Sequence, residues 1–164
     1  MKQISILLTK YSDRMSNFIY HITGRGYTHS SIALEENPDE YYSFNYRGFA
    51  IETTEKHKRR GVKNSLCFKL QVSDEVYETV KTQIQTFLDH REEYSYSSIG
   101  VFLCLLQIPL RFHKSYFCSQ FVAEVLSKSG AAKLTKSPCC YTPNHLISLL
   151  ESNPGYVCAL ANVV

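Results

Sequence analysis

Several features are missing from this 164-residue sequence, and each absence removes a class of function. No internal repeat appears, which excludes a solenoid. Charge is nearly balanced: 18 Lys and Arg against 15 Asp and Glu leave a formal +3. That is too little to draw the chain to nucleic acid or to a membrane surface. The longest apolar stretch, Ile99 to Leu110, is broken by Gln107 and Pro109. It falls short of the roughly 20 residues that span a bilayer, and it reads as a buried helix. The first apolar run is about five residues, against roughly 7–15 in a signal peptide, and no small-residue cleavage site follows. A cytoplasmic protein with no integral membrane segment is the expectation.

The six cysteines contain no C-x-x-C pair, and a chain with a real core needs no disulfide framework. Cys67, Cys104 and Cys158 lie inside the apolar segments SLCFKL, VFLCLL and YVCAL, which predicts buried free thiols. Cys139 and Cys140 are adjacent, with His145 as their one nearby partner. Neighbouring residues chelate a tetrahedral ion poorly, so no metal and no cofactor are predicted. The basic run Lys56 to Arg60, which includes His57, reads as a solvated loop.

Apolar residues at 44% and charged residues at 20% suit one compact domain over residues 1–164. Lys2 to Thr9 reads as a strand. A helix is expected from Ser12, its N-cap, with Asp13 in the first turn. Met15, Phe18, Ile19 and Ile22 would form its buried face and Gly24 its stop. A hairpin follows, from Tyr27–Leu34 through the turn Asn37-Pro38-Asp39 to Tyr41–Tyr46. Phe49–Thr53 and Ser65–Val72 are further strands. Ser73 caps a long helix with a stripe of Val76, Val80, Ile84, Phe87 and Leu88. Helices over 97–107 and Phe117–Ser129 come next, the second ending at Gly130. Thr142-Pro143 opens a last helix, and Tyr156–Val164 closes as a strand. The sum is an α+β domain, an antiparallel sheet flanked by helices.

One segment carries nucleophile chemistry: Lys114-Ser115-Tyr116-Phe117-Cys118-Ser119-Gln120-Phe121-Val122. Cys118 sits where a loop becomes a helix, and free N–H groups and the positive dipole end favour a thiolate there. Those groups can also bind the oxyanion formed when a thiolate attacks a carbonyl. Such a cysteine needs a base. His29, in Tyr27-Thr28-His29-Ser30-Ser31-Ile32-Ala33-Leu34, lies on a strand, which holds a side chain well. His21 falls inside the first helix, His90 and His113 flank helix ends, and His145 is the strongest competitor.

The order of THSSIAL on a strand, YYSFN on the next, and YFCSQFVAEVL opening a helix resembles the circularly permuted NlpC-type branch of the papain-like superfamily. YiiX-like proteins and lecithin retinol acyltransferase-like enzymes belong to that branch. The likeness runs from the first strand to about Leu150. It implies a cysteine hydrolase with Cys118 as nucleophile and His29 as base. It also implies a third polar group, on the strand after the histidine, to orient the imidazole. Ser43 and Asn45 stand in that hairpin, and they are preferred here to Glu52. A turn of one residue more or less decides whether they share the face of His29. Tyr116 and Ser119 flank the nucleophile and are candidates for the oxyanion site or the acyl pocket. The substrate implied is a small molecule, peptide or lipid amide; no nucleic acid partner is expected. Acyl transfer to an amine or alcohol, and a catalytically silent binding module, are the alternatives. The tyrosines at Tyr41, Tyr42, Tyr46, Tyr94 and Tyr96 would line a cleft or fill space between sheet and helices.

Overall fold

The computed structural model describes residues 1–11, 14–22 and 26–164. The expected cap Ser12, first-turn Asp13 and stop Gly24 lie outside the described residues, as does the side chain of Met15. Alternating or continuous apolar runs form the strands β1 (Lys2–Thr9), β2 (His29–Leu34), β3 (Glu40–Asn45), β4 (Gly48–Thr53), β5 (Ser65–Val72) and, after the helices, β8 (Tyr156–Ala161). They make one antiparallel sheet in the order β4-β3-β2-β1-β5-β8. The chain is thus α+β, with the sheet the sequence predicts. Two short segments, β6 (Ser95–Tyr96) and β7 (Ser115–Tyr116), pair in parallel beside it.

The longer helices pack on one sheet face. The helix α3 (Asp74–Asp89) is capped by Ser73, whose hydroxyl accepts from the Val76 N–H, and it buries Tyr77, Val80 and Ile84. The helix α5 (Cys118–Ser129) packs on β2, β3 and α3. Gly130, at φ +79°, ends it in the left-handed conformation that glycine adopts without a Cβ clash. Thr142 caps α6 (Pro143–Glu151). Between sheet and helices lies an aromatic cluster: the Phe121 ring centroid is 5.1 Å from Phe87 and 5.5 Å from both Phe44 and Phe49. Tyr94 and Tyr116 join it, while Tyr46 is exposed.

Several expectations fail, among them that of a buried Cys158, which is half-buried. The Lys56–Arg60 run is no solvated loop: Thr54–Arg59 is a helix, α2, whose N-cap Thr53 accepts from the Lys56 N–H. His57 within it is fully buried. A further failure is the apolar stretch after Ser97. Its helix, α4 (Ser98–Leu105), turns Gly100, Val101 and Cys104 inward. Ile99, Phe102 and Leu106 face out at 55–64% exposure, and Ile108 and Leu110 beyond it are also exposed. A helix apolar on every side can bury only the face its neighbour covers. The cover comes from the turn at Pro138–Cys140 and from α1 (Arg14–Ile22), of which Ile19 packs with Val101, Cys104 and Phe117, while Phe18 and Ile22 are exposed rather than on a buried face. Among the described residues no helix is long and apolar enough to cross a membrane.

Candidate active site

Cys118 is the first residue of α5, and the preceding Phe117 offers no side-chain cap. The opening N–H groups of the helix are therefore left for other acceptors. The backbone N–H groups of Ser119, within the helix, and Ser30, on β2, both favour the thiolate form of Cys118. His29, the first residue of β2, stands opposite Thr9 of β1 and bonds the Cys118 sulfur through its ring. Both side chains are buried. The other face of the imidazole is held by Glu52 of β4, with His29 Nε2 2.7 Å from Glu52 Oε2. With Nε2 so engaged, Nδ1 is the nitrogen that remains for the thiol.

Charge follows this geometry. Burial alone pushes the Cys118 thiol up, but the His29 bond, the His29 charge and the two N–H groups outweigh it and lower its pKa. Burial pushes His29 down, yet the Glu52 carboxylate and the thiol raise it well above 6.5. Glu52 resists burial because His29, then His57 and Arg60, hold its pKa at about 2. A thiolate, an imidazolium and a carboxylate in line are the state these shifts favour.

Cys118, His29 and Ser119 thus lie together. Ser43 and Asn45 do not join them. The β2–β3 register pairs Ile32 with Tyr42 in the core, which gives Ser43 and Asn45 the face parity of His29. Their side chains are spent elsewhere: Ser43 Oγ donates to the Ser30 carbonyl at 2.6 Å, and Asn45 Oδ1 accepts from the Arg47 N–H at 2.9 Å. The longer arm of Glu52, one strand further out, reaches the ring instead. Tyr116 also stands apart. Its ring packs on Phe44 at 5.2 Å and its hydroxyl points to Glu124, so it fills the core. His145 is exposed and its Nδ1 accepts from the Thr142 N–H, which makes it part of the α6 cap.

Sequence reasoning ranked Glu52 below Ser43 and Asn45, set His57 in a solvated loop, and did not single out Arg60 or Tyr11. One signal was available for two of them. Thr53 has N-cap chemistry, and a helix after it puts His57 and Arg60, three apart, on one face. Beside Cys118 a small apolar pocket opens, lined by Ile19, Tyr96, Val101, Phe117, Thr142 and Pro143 among others.

No family model matches the chain, and no curated protein matches it in sequence. Its fold is similar to the crystal structure of the metalloprotein YiiX from Escherichia coli O157:H7, with a TM-score of 0.63 at 11% identity. The likeness covers 98% of this chain and 97% of that one. At that identity the shared property is the fold.

Proposed function

We propose that this chain is a thiol hydrolase of permuted papain-like architecture, acting on an amide, peptide or ester bond. The observation that carries the reading is the buried line of contacts from Cys118 through His29 to Glu52. His29 holds the proton taken from Cys118, and the thiolate adds to the substrate carbonyl. The oxygen of the tetrahedral intermediate is stabilised by N–H groups at the start of α5. Collapse expels the amine or alcohol, which leaves with the proton from His29. A water then gives a proton to His29 and its hydroxide equivalent to the acyl carbon, releasing the acid and restoring Cys118. Among the described residues no group of three His, Cys, Asp or Glu side chains is arranged to hold a metal ion.

The test is the rate of Cys118 alkylation by iodoacetamide against pH, with peptide mapping to separate the other five thiols. Wild type is expected to react well below the ordinary thiol pKa of about 8.5, and His29→Ala to lose that advantage. A Cys118 that titrates like an ordinary thiol in both proteins rules the reading out.

A second reading, acyl transfer, is favoured by the apolar pocket at Cys118 and the exposed apolar row of α4. An amine or alcohol would then replace water at the acyl-enzyme. Supplied with a p-nitrophenyl acyl ester, a transferase is expected to pass most of the acyl group to an added primary amine. Release of free acid in the presence of that amine supports hydrolysis.

A further inference from the structure

Glu52 has more neighbours than an orienting carboxylate needs. Its Oε2 lies 2.7 Å from His29 Nε2 and 3.8 Å from His57 Nε2, and its Oε1 lies 3.5 Å from Arg60 Nη1. The short α2 crosses back from the end of β4 and brings His57 and Arg60 to this carboxylate. Beyond His57, the Tyr11 hydroxyl stands 2.6 Å from Nδ1 and 3.4 Å from Arg60 Nη1.

Protons can be placed in this network by what each group is able to do. Arg60 only donates, so the Tyr11 oxygen accepts from it. The Tyr11 O–H is left for His57, whose Nδ1 must accept. A neutral His57 therefore carries its proton on Nε2, the nitrogen turned toward Glu52. That Nε2 is buried and has no hydrogen-bond partner. A buried orphan donor is costly to keep, and this one stands 3.8 Å from the Glu52 carboxylate, just outside bonding range. Burial pushes His57 down to about 4, so it is neutral near pH 7, and burial raises Tyr11, which keeps its proton. The groups facing His57 are Tyr11 from the end of β1, His29 from β2, Tyr41 from β3, Glu52 from β4, and Lys56 and Arg60 from α2.

We propose that His57 is a positioning residue for the candidate catalytic pair, a neutral donor that closes on Glu52 and holds it ionised and aimed at His29. Tyr11 fixes the tautomer that makes this possible, and Arg60 steadies the second carboxylate oxygen. Without the donor, Glu52 turns toward Arg60, the His29 imidazolium loses support, and the Cys118 thiolate forms at higher pH. This inference rests on the thiol hydrolase reading.

The experiment is the pH profile of Cys118 alkylation in the full chain, with thermal unfolding as a check on folding. His57→Phe keeps a ring and removes both nitrogens. It is expected to move the Cys118 midpoint up by about one pH unit, slowing alkylation below both midpoints about tenfold. His57→Gln, whose amide nitrogen sits where Nε2 did, is expected to recover most of that loss. A folded His57→Phe with the wild-type profile overturns the proposal, and so does a His57→Gln no better than His57→Phe. If His57→Phe does not fold, Tyr11→Phe decides: it leaves the imidazole and removes the bond that sets its tautomer. An upward shift of the midpoint upholds the proposal, and an unchanged one overturns it. An ordinary Cys118 in wild type would instead bring down the hydrolase reading itself.

Discussion

Glu52→Gln is expected to slow Cys118 alkylation at pH 6 by about 100-fold, two pH units of thiolate formation, while changing the shape of the site little. The reason lies in which way the new amide must face. Arg60 Nη1 stands at the Oε1 position and can only donate, so the amide oxygen turns to it. The amide NH2 then occupies the Oε2 position, 2.7 Å from His29 Nε2. A donor there forces His29 to accept through Nε2 and to carry its proton on Nδ1, the nitrogen facing Cys118. In that tautomer the ring cannot take the thiol proton. The variant also removes the negative charge that raises the His29 pKa, and the two effects act in one direction. Stability against pH has its own sign. Glu52 has a folded pKa of about 2, below its unfolded value near 4.5, so its contribution is present above pH 4.5 and lost as pH falls toward 2. Acid unfolding of Glu52→Gln should accordingly be less steep between pH 4.5 and 2. Alkylation at pH 6 that stays within a few-fold of wild type would remove Glu52 from the proposed site.

What could be read in advance followed the range of the interaction. Ser65–Val72 has the bounds the alternation of Leu66, Phe68, Leu70 and Val72 implies, and Ser73, Gly130 and Thr142 cap or stop their helices as their side chains dictate. Each of these depends on contacts a few residues apart. The meeting of Cys118 with His29 spans the fold, and it was legible through the order of a histidine strand and a cysteine helix. Glu52 was not. It sits on the sheet face away from the main core, where an alternating strand normally meets water. The short helix α2 folds back over that face and helps bury the position, and the basic residues of α2 suggest solvent until Thr53 is recognised as a cap. The apolar surface of α4 was hidden for the opposite reason. A continuous apolar run records no preferred face, so composition alone could not say that Ile99, Phe102 and Leu106 stay exposed.

Phe121→Ala is expected to cost about 3–5 kcal/mol, the usual cost of emptying a buried phenylalanine site. Phe121 is fully buried one turn after Cys118, and its ring touches Phe44, Phe49 and Phe87 from three sides. Those rings belong to β3, β4 and α3, so the loss is felt where α5 is seated on the sheet. Their mutual packing leaves little freedom to collapse into the void, which favours the upper part of the range. For a domain held by roughly 5–15 kcal/mol, and with a urea slope of roughly 1–3 kcal/mol per molar, the unfolding midpoint should fall by more than 1 M. Phe102→Ala is the contrast. That ring has the same chemistry but is 55% exposed on α4, and its removal should stay within about 0.5 kcal/mol of wild type. The pair separates the two aromatic surfaces: one seats α5 on the sheet, and the other is exposed on α4. Equal midpoints for the two variants would mean that α5 is not anchored through Phe121, and the placement of Cys118 against His29 would need another support.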